Sequence, residues 1–87
     1  TRREVTIVNA LGLHARAAAR FVHAASRFAS HIRVTRGSRT MDGKSILGLL
    51  LLSAGRGTVI VIEAEGADEQ DAVDALAALA ARGFEDA

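Results

Sequence analysis

The chain contains no cysteine, no proline, no tryptophan and no tyrosine, and its only aromatic residues are three phenylalanines among 87 residues. Without cysteine there is no disulfide framework and no thiol chemistry, and an intracellular, cytoplasmic setting fits. No proline-rich linker, low-complexity tract or internal repeat interrupts the chain, so residues 1–87 read as a single domain. The near absence of aromatics argues against a sheet that binds RNA, because such sheets stack bases on aromatic side chains. The formal net charge is only +1, too small by itself to indicate nucleic acid or a membrane surface. The longest apolar run, Ile46 to Leu52 with Gly48 inside it, falls far short of the ~20 residues that span a bilayer. The first residues lead directly into a strand pattern, so no secretory signal is expected. The histidines His14, His23 and His31 share no spacing on one face and have no cysteine companions, so no metal site and no cofactor is expected.

The hydrophobic fraction is 49%, rich in alanine, and suffices for one modest core. The stretch Gly12-Leu13-His14-Ala15-Arg16 organises the chain. It lies between a strand-like run, about Arg3 to Val8, and a helical run, Ala15 to Arg27. Helix N-termini attract anions through free N–H groups and the helix dipole. A histidine there sets a nucleophilic ring nitrogen beside an anion-binding corner. Arg16 adds a planar fork suited to phosphate, and Gly12 allows a sharp turn. These residue types suit a histidine that accepts and holds a phosphoryl group. A polar cap or plain surface residue is the competing account.

In the first helix Ala18, Phe21, Val22, Ala25 and Phe28 form an apolar stripe. Arg16, Arg20, His23 and Arg27 form the wet face opposite, a basic surface suited to an acidic partner. His31 to Arg36 alternates as a strand, Gly37-Ser38 is a turn, and Arg39 to Asp42 returns. Ser45 is a favoured N-cap for a helix from Ile46 to about Ser53. A short surface helix buries one face only. Leu49 and Leu52 are therefore expected in the core, with Ile46, Leu47 and Leu50 in an exposed apolar contact patch. Thr58 to Glu65 reads as a central strand. Asp68 is expected to cap the last helix, whose buried stripe is Val73, Leu76, Ala77 and Ala80, with Arg82 and Gly83 as stop signals. The element order is β-α-β-β-α-β-α, an α+β sandwich with helices on one face of an antiparallel sheet. Pattern alone leaves strand order open, and a ferredoxin-like arrangement reads much the same.

Three blocks carry a resemblance. Asn9-Ala10-Leu11-Gly12-Leu13-His14-Ala15-Arg16 resembles the active-site segment of HPr, the histidine-containing phosphocarrier family of the phosphoenolpyruvate-dependent phosphotransferase system. Gly43-Lys44-Ser45-Ile46-Leu47-Gly48 resembles that family's regulatory-serine segment. Gly57-Thr58-Val59, Glu65-Gly66 and Asp68-Glu69-Gln70 resemble its last strand and final helix start. The blocks stand in family order and spacing and cover essentially the whole chain. Ala17 departs from the pattern, since the family usually has proline there, as H-x-R-P.

The resemblance implies an open-faced β-sandwich, its four-stranded antiparallel sheet ordered 1-4-2-3 and covered on one face by three helices. It implies a phosphocarrier and not a stand-alone enzyme. His14 would accept a phosphoryl group from enzyme I, originally from phosphoenolpyruvate, and pass it to a downstream EIIA-type phosphoryl acceptor in sugar transport. Arg16 would steady the phosphate. Ser45 would be the target of an HPr serine kinase/phosphorylase. The expected partner surface is Arg16, Ala17, Arg20, Ile46, Leu47 and Leu50, on a monomer that neither enters membranes nor binds nucleic acid. The alternatives are an HPr-like regulatory or interaction module, such as a nitrogen-related paralogue, and a small nucleic-acid-binding α+β domain. Steep salt-dependent binding to an oligonucleotide would distinguish the last.

Overall fold

The computed structural model describes residues 1–86. The strands are β1 (Arg2–Thr6), β2 (His31–Arg36), β3 (Arg39–Asp42) and β4 (Val59–Glu65). The helices are α1 (Ala15–Ala25), α2 (Ile46–Leu51) and α3 (Glu69–Ala81). The four strands form one antiparallel sheet in the order β1-β4-β2-β3. Every expected element is present, with ends that differ by a few residues. β1 stops before Ile7, and α1 ends before Ser26.

The register assigns the two faces of the sheet. Ile60, Ile62 and Ala64 of β4 and Ile32 and Val34 of β2 point to one side and are buried. Phe21, Leu49, Leu52, Val73 and Leu76 reach them from the helices and complete a single core cluster. Each fully buried side chain of this size contributes roughly 1.5–3 kcal/mol. The opposite face stays open, which suits an antiparallel sheet. Across it Arg2 pairs with Glu63, Glu63 with Arg33, and Arg33 with Asp42. This row alternates in sign over all four strands, so the exposed face is charge-balanced by cross-strand neighbours.

The basic residues of the sheet are thereby spent within the fold. Arg33 pairs with Glu63 at 3.6 Å and also with Glu65. Arg3 pairs with Asp74 of α3. Arg36 donates to the carbonyls of Leu52 and Ser53, and Arg39 to that of Leu51. These two arginines close the C-terminal end of α2, where orphan carbonyls need donors. The arginine set that a nucleic-acid reading would need is largely committed to ion pairs and helix capping.

Two expectations need correction. Asp68 precedes α3, but its side chain makes no cap bond to that helix. Its carboxylate instead accepts from the N–H of Ala29, at 2.8 Å, and from the N–H and hydroxyl of Ser30. Three donors arriving from the α1–β2 loop satisfy it better than one helical N–H would. Leu50 was expected in the exposed patch. It is half-buried and packs against the core, while Leu51 is exposed. The helix has only six residues and is apolar almost all round, so its period does not say which leucine turns to the core. Arg82 and Gly83 end α3 as expected, with Arg82 as its C-cap and Gly83 at φ +62, and a feature that was not expected follows them. Gly83–Asp86 forms a further turn in which Phe84 and Glu85 adopt left-handed backbone angles. Phe84 is fully buried there.

The Ser30 hydroxyl, followed by the Ala29 and Ser30 amides, holds the Asp68 carboxyl below the ordinary aspartate value. A depressed acid stabilises the fold above the unfolded-state pKa, near 4, and loses that contribution as pH falls through the native value. Asp68→Asn is therefore expected to lower the melting temperature at neutral pH and to flatten the loss of stability on acidification below about pH 4. Its amide group would face the Ala29 N–H, donor against donor. Melting curves from neutral to acid pH check this. An unchanged acid limb in the variant would show that Asp68 does not link these two turns.

Candidate functional site

The loop between β1 and α1 is built to hold one conformation. The Asn9 side chain donates to the Gly12 carbonyl at 2.7 Å, and the Gly12 N–H donates to the Asn9 carbonyl at 3.1 Å. Gly12 has φ +67, and a Cβ there would lie 2.5 Å from the Ala54 carbonyl oxygen. Any side chain would both strain the backbone and strike the α2–β4 loop. Leu13 then buries its side chain and donates its N–H to Ala54 at 2.8 Å. The chain thus arrives at His14 pinned on both sides.

His14 is the N-cap of α1. Its backbone is extended (φ −79, ψ −177), and its Nδ1 accepts the N–H of Arg16 at 3.3 Å. A nitrogen that accepts a hydrogen bond holds its lone pair outward, so the ring proton belongs on Nε2. Nε2 is buried and has no hydrogen-bond partner among the described residues. The nucleophilic nitrogen therefore faces the helix N-terminus, and the other faces inward. The first helical hydrogen bond runs from Ala18 to the His14 carbonyl. The amides of Ala15, Arg16 and Ala17 precede it and have no partner within the helix. They and the helix dipole favour negative charge at this point.

Arg16 is exposed on the first turn and makes no ion pair among the described residues. Ala17 is fully buried, which corrects its place among partner-contacting residues: only its N–H can face the corner, because its side chain belongs to the core. Arg20 lies further along α1 and donates to the carbonyls of Phe84 and Glu85, both at 2.6 Å. It fastens the C-terminal turn, a role that its place on a polar stripe did not reveal. His23 and His31 are exposed and lie away from this corner.

Ser45 caps α2 as expected. Its hydroxyl accepts the Gly48 N–H at 3.0 Å. Ile46 and Leu47 beside it are 43% and 66% exposed. Lys44 reaches back and donates to the Phe28 carbonyl at 2.7 Å. Among the described residues there is no cluster of His, Cys, Asp and Glu able to hold a metal, and no helix is long and apolar enough to cross a membrane.

Ala17 is the third residue of α1, inside the first turn, where a proline costs no helical hydrogen bond. Ala17→Pro is expected to leave the melting temperature unchanged or to raise it, by up to ~1 kcal/mol of stability, through lost unfolded-chain freedom. Thermal denaturation checks this. A fall of many degrees would mean that the buried site has no room for the ring.

A histidine capping a helix, its lone pair turned to the first-turn amides, on an open-faced sandwich of strand order 1-4-2-3 defines the class: a small α+β domain of the phosphocarrier type. Comparison with known proteins gives the family. The model for the phosphorylation site of the phosphotransferase-system HPr component matches residues 1–82. Phosphocarrier protein HPr of Cupriavidus necator is 47% identical over 83 residues, covering 95% of this chain and 93% of that protein. Phosphocarrier protein NPr of Shewanella violacea is 42% identical over 85 residues, covering 98% and 93%. The solved structure of HPr-C-His from Thermoanaerobacter tengcongensis matches with a TM-score of 0.94 at 40% identity, covering 98% of this chain and 96% of that one. The chain belongs to the HPr family of the phosphotransferase system. HPr is a phosphocarrier protein, not a stand-alone enzyme.

Proposed function

We propose that His14 accepts a phosphoryl group from enzyme I on Nδ1 and passes it to a downstream protein of the phosphotransferase system. The observation that carries this reading is the His14 Nδ1 lone pair directed at the Arg16 amide. A phosphoryl group on that nitrogen would replace the ring as acceptor for the first-turn amides. Phosphoryl transfer requires positioning and charge stabilisation more than covalent help. The pinned Gly12–Leu13 segment supplies the first, and the amides with the Arg16 guanidinium supply the second. The transferring residues of donor and acceptor lie on the partners, so this chain acts as a carrier. Both partners must reach one nitrogen in turn, and the half-exposed ring on a surface loop permits that.

Ile46 and Leu47, with Leu51 in place of Leu50, form an apolar docking patch beside the basic face of α1. Ser45 at its rim is the regulatory phosphorylation site in this reading. The setting is the cytoplasm, where sugar uptake draws on phosphoenolpyruvate. A nitrogen-related role is the second reading, favoured by the similarity to the NPr of Shewanella violacea. Incubation with phosphoenolpyruvate and enzyme I, followed by intact-mass measurement, tests the proposal. Gain of one phosphoryl group is expected, and no gain with an active enzyme I would overturn it. Presenting the phosphorylated chain to sugar-transport and nitrogen-related acceptors then separates the two branches.

A further inference from the structure

Arg16, Arg20, His23 and Arg27 recur at intervals of four, three and four residues along α1, so they form one stripe. A cleft of about 700 Å³ runs beneath that stripe, between α1 and the end of α3, and Arg82 lines its far side. Arg16 and Arg20 are like charges spaced four apart, which repel and normally cost stability. Here the described residues offer little compensation. Arg16, His23 and Arg27 have no ion pair among them, and Arg20 is engaged only with backbone carbonyls. Glu85 is the one acid among the described lining residues, and it pairs with Arg82 at 3.4 Å.

We infer that this cleft is a binding site for a small metabolite carrying two or more phosphoryl groups. Arg16 and Arg27 stand eleven residues apart, roughly 16 Å along the helix at 1.5 Å per residue. The stripe therefore offers cationic side chains along a length that a ligand with separated phosphoryl groups can use. Arg27 of α1 and Arg82 beyond α3 both line the cleft, so it draws guanidinium forks, the groups that bind phosphate bidentately, from two elements. Ala24 and Leu79 give the cleft an apolar floor for a carbon skeleton. The volume falls in the ordinary range for small-molecule sites. The far wall is fixed: Phe84 is fully buried, and Arg20 ties its carbonyl to α1.

The site meets the phosphoryl corner at Arg16. A ligand that occupies the Arg16 guanidinium would withdraw it from His14, so bound metabolite would slow phosphorylation. This consequence, unlike the binding itself, rests on the carrier reading above.

The test is an amide NMR titration of the whole chain with inorganic tripolyphosphate at about 0.15 M ionic strength, where diffuse attraction is screened. Saturable shifts are expected at Arg20, His23, Arg27 and Arg82. The double variant Arg27→Ala/Arg82→Ala changes two exposed side chains and is expected to bind about tenfold more weakly or less, because two charge-assisted contacts are lost. Glu85→Gln is expected to bind more tightly. Equal binding by the double variant, linear shifts without saturation, or shifts confined to the Arg16 and Ala17 amides would each overturn the site. Binding of a glutamate decamer without binding of tripolyphosphate would also overturn it and would make the cleft a contact for acidic protein segments. Phosphorylation by enzyme I is measured separately. Binding without phosphorylation would retain the site and refute the carrier reading, and phosphorylation without binding would do the reverse.

Discussion

His14→Ala is expected to abolish phosphorylation by enzyme I completely, with no residual labelling at another histidine. His23 lies on the last turn of α1 and His31 at the start of β2. Neither faces the free amides of a helix N-terminus, so neither has an oxyanion-binding partner built beside it. His23→Ala and His31→Ala should accept phosphate like the unaltered chain. The modification should be acid-labile, as a phosphorus–nitrogen bond is. Alanine at position 14 also removes the N-cap bond to Arg16, which costs ~0.5–2 kcal/mol. His14→Asn separates the two losses. Asparagine caps a helix as well as aspartate or serine but has no nucleophilic ring. It should keep the melting temperature close to that of the unaltered chain and still show no transfer. Intact-mass measurement before and after acid treatment reads the outcome. Stable labelling of either variant by the same route would remove His14 from the mechanism.

Much of this site was legible because its parts are local in sequence. Gly12, His14 and Arg16 lie within one turn, and each has a reason to be the residue it is. The need for glycine at position 12 is visible as a turn signal, although its second cause, contact with Ala54, comes from a distant loop. The sheet was legible through alternation, and β4 through its unbroken β-branched run. The parts that were not legible depend on tertiary partners. Asp68 looks like a cap because it precedes a helix, yet Ala29 and Ser30, some 38 residues earlier, supply its donors. Arg20 looks like any exposed basic residue of a polar stripe until the turn after α3 brings the Phe84 carbonyl to it. That turn was itself hidden. Gly83 is a sound stop signal, and left-handed backbone at a phenylalanine is uncommon enough that no pattern anticipates it. Leu50 and Leu51 could not be told apart by period, because a helix that is apolar all round has no moment to orient it. Which leucine faces water is settled by packing on the core, where Leu50 lies and Leu51 does not.

Ser45→Asp is expected to slow phosphorylation of His14 by enzyme I about tenfold or more while leaving stability within ~1 kcal/mol of the unaltered chain. The Ser45 hydroxyl accepts the Gly48 N–H at 3.0 Å. An aspartate carboxylate can accept the same bond at a positive helix end, so the cap survives. The cost falls on docking. Ile46 and Leu47 are the exposed apolar residues next to the cap, and a partner that covers them must desolvate whatever charge stands at their rim. The Lys44 ammonium is held at 2.7 Å by the Phe28 carbonyl, and the Asp42 carboxylate lies close by, accepting the Lys44 N–H. The Lys44 ammonium is thus engaged away from the cap by a carbonyl, and an acidic partner would repel an added negative charge. A phosphate on Ser45 should act in the same direction and more strongly, since it carries nearly two charges. Ser45→Ala should behave in the opposite way. It loses the cap and melts earlier, by ~0.5–2 kcal/mol of stability, yet accepts phosphate at the normal rate. Transfer rates and melting curves for both variants form the test. If Ser45→Asp is phosphorylated at His14 as fast as the unaltered chain, Ser45 only caps α2, and the apolar patch beside it is not where enzyme I docks.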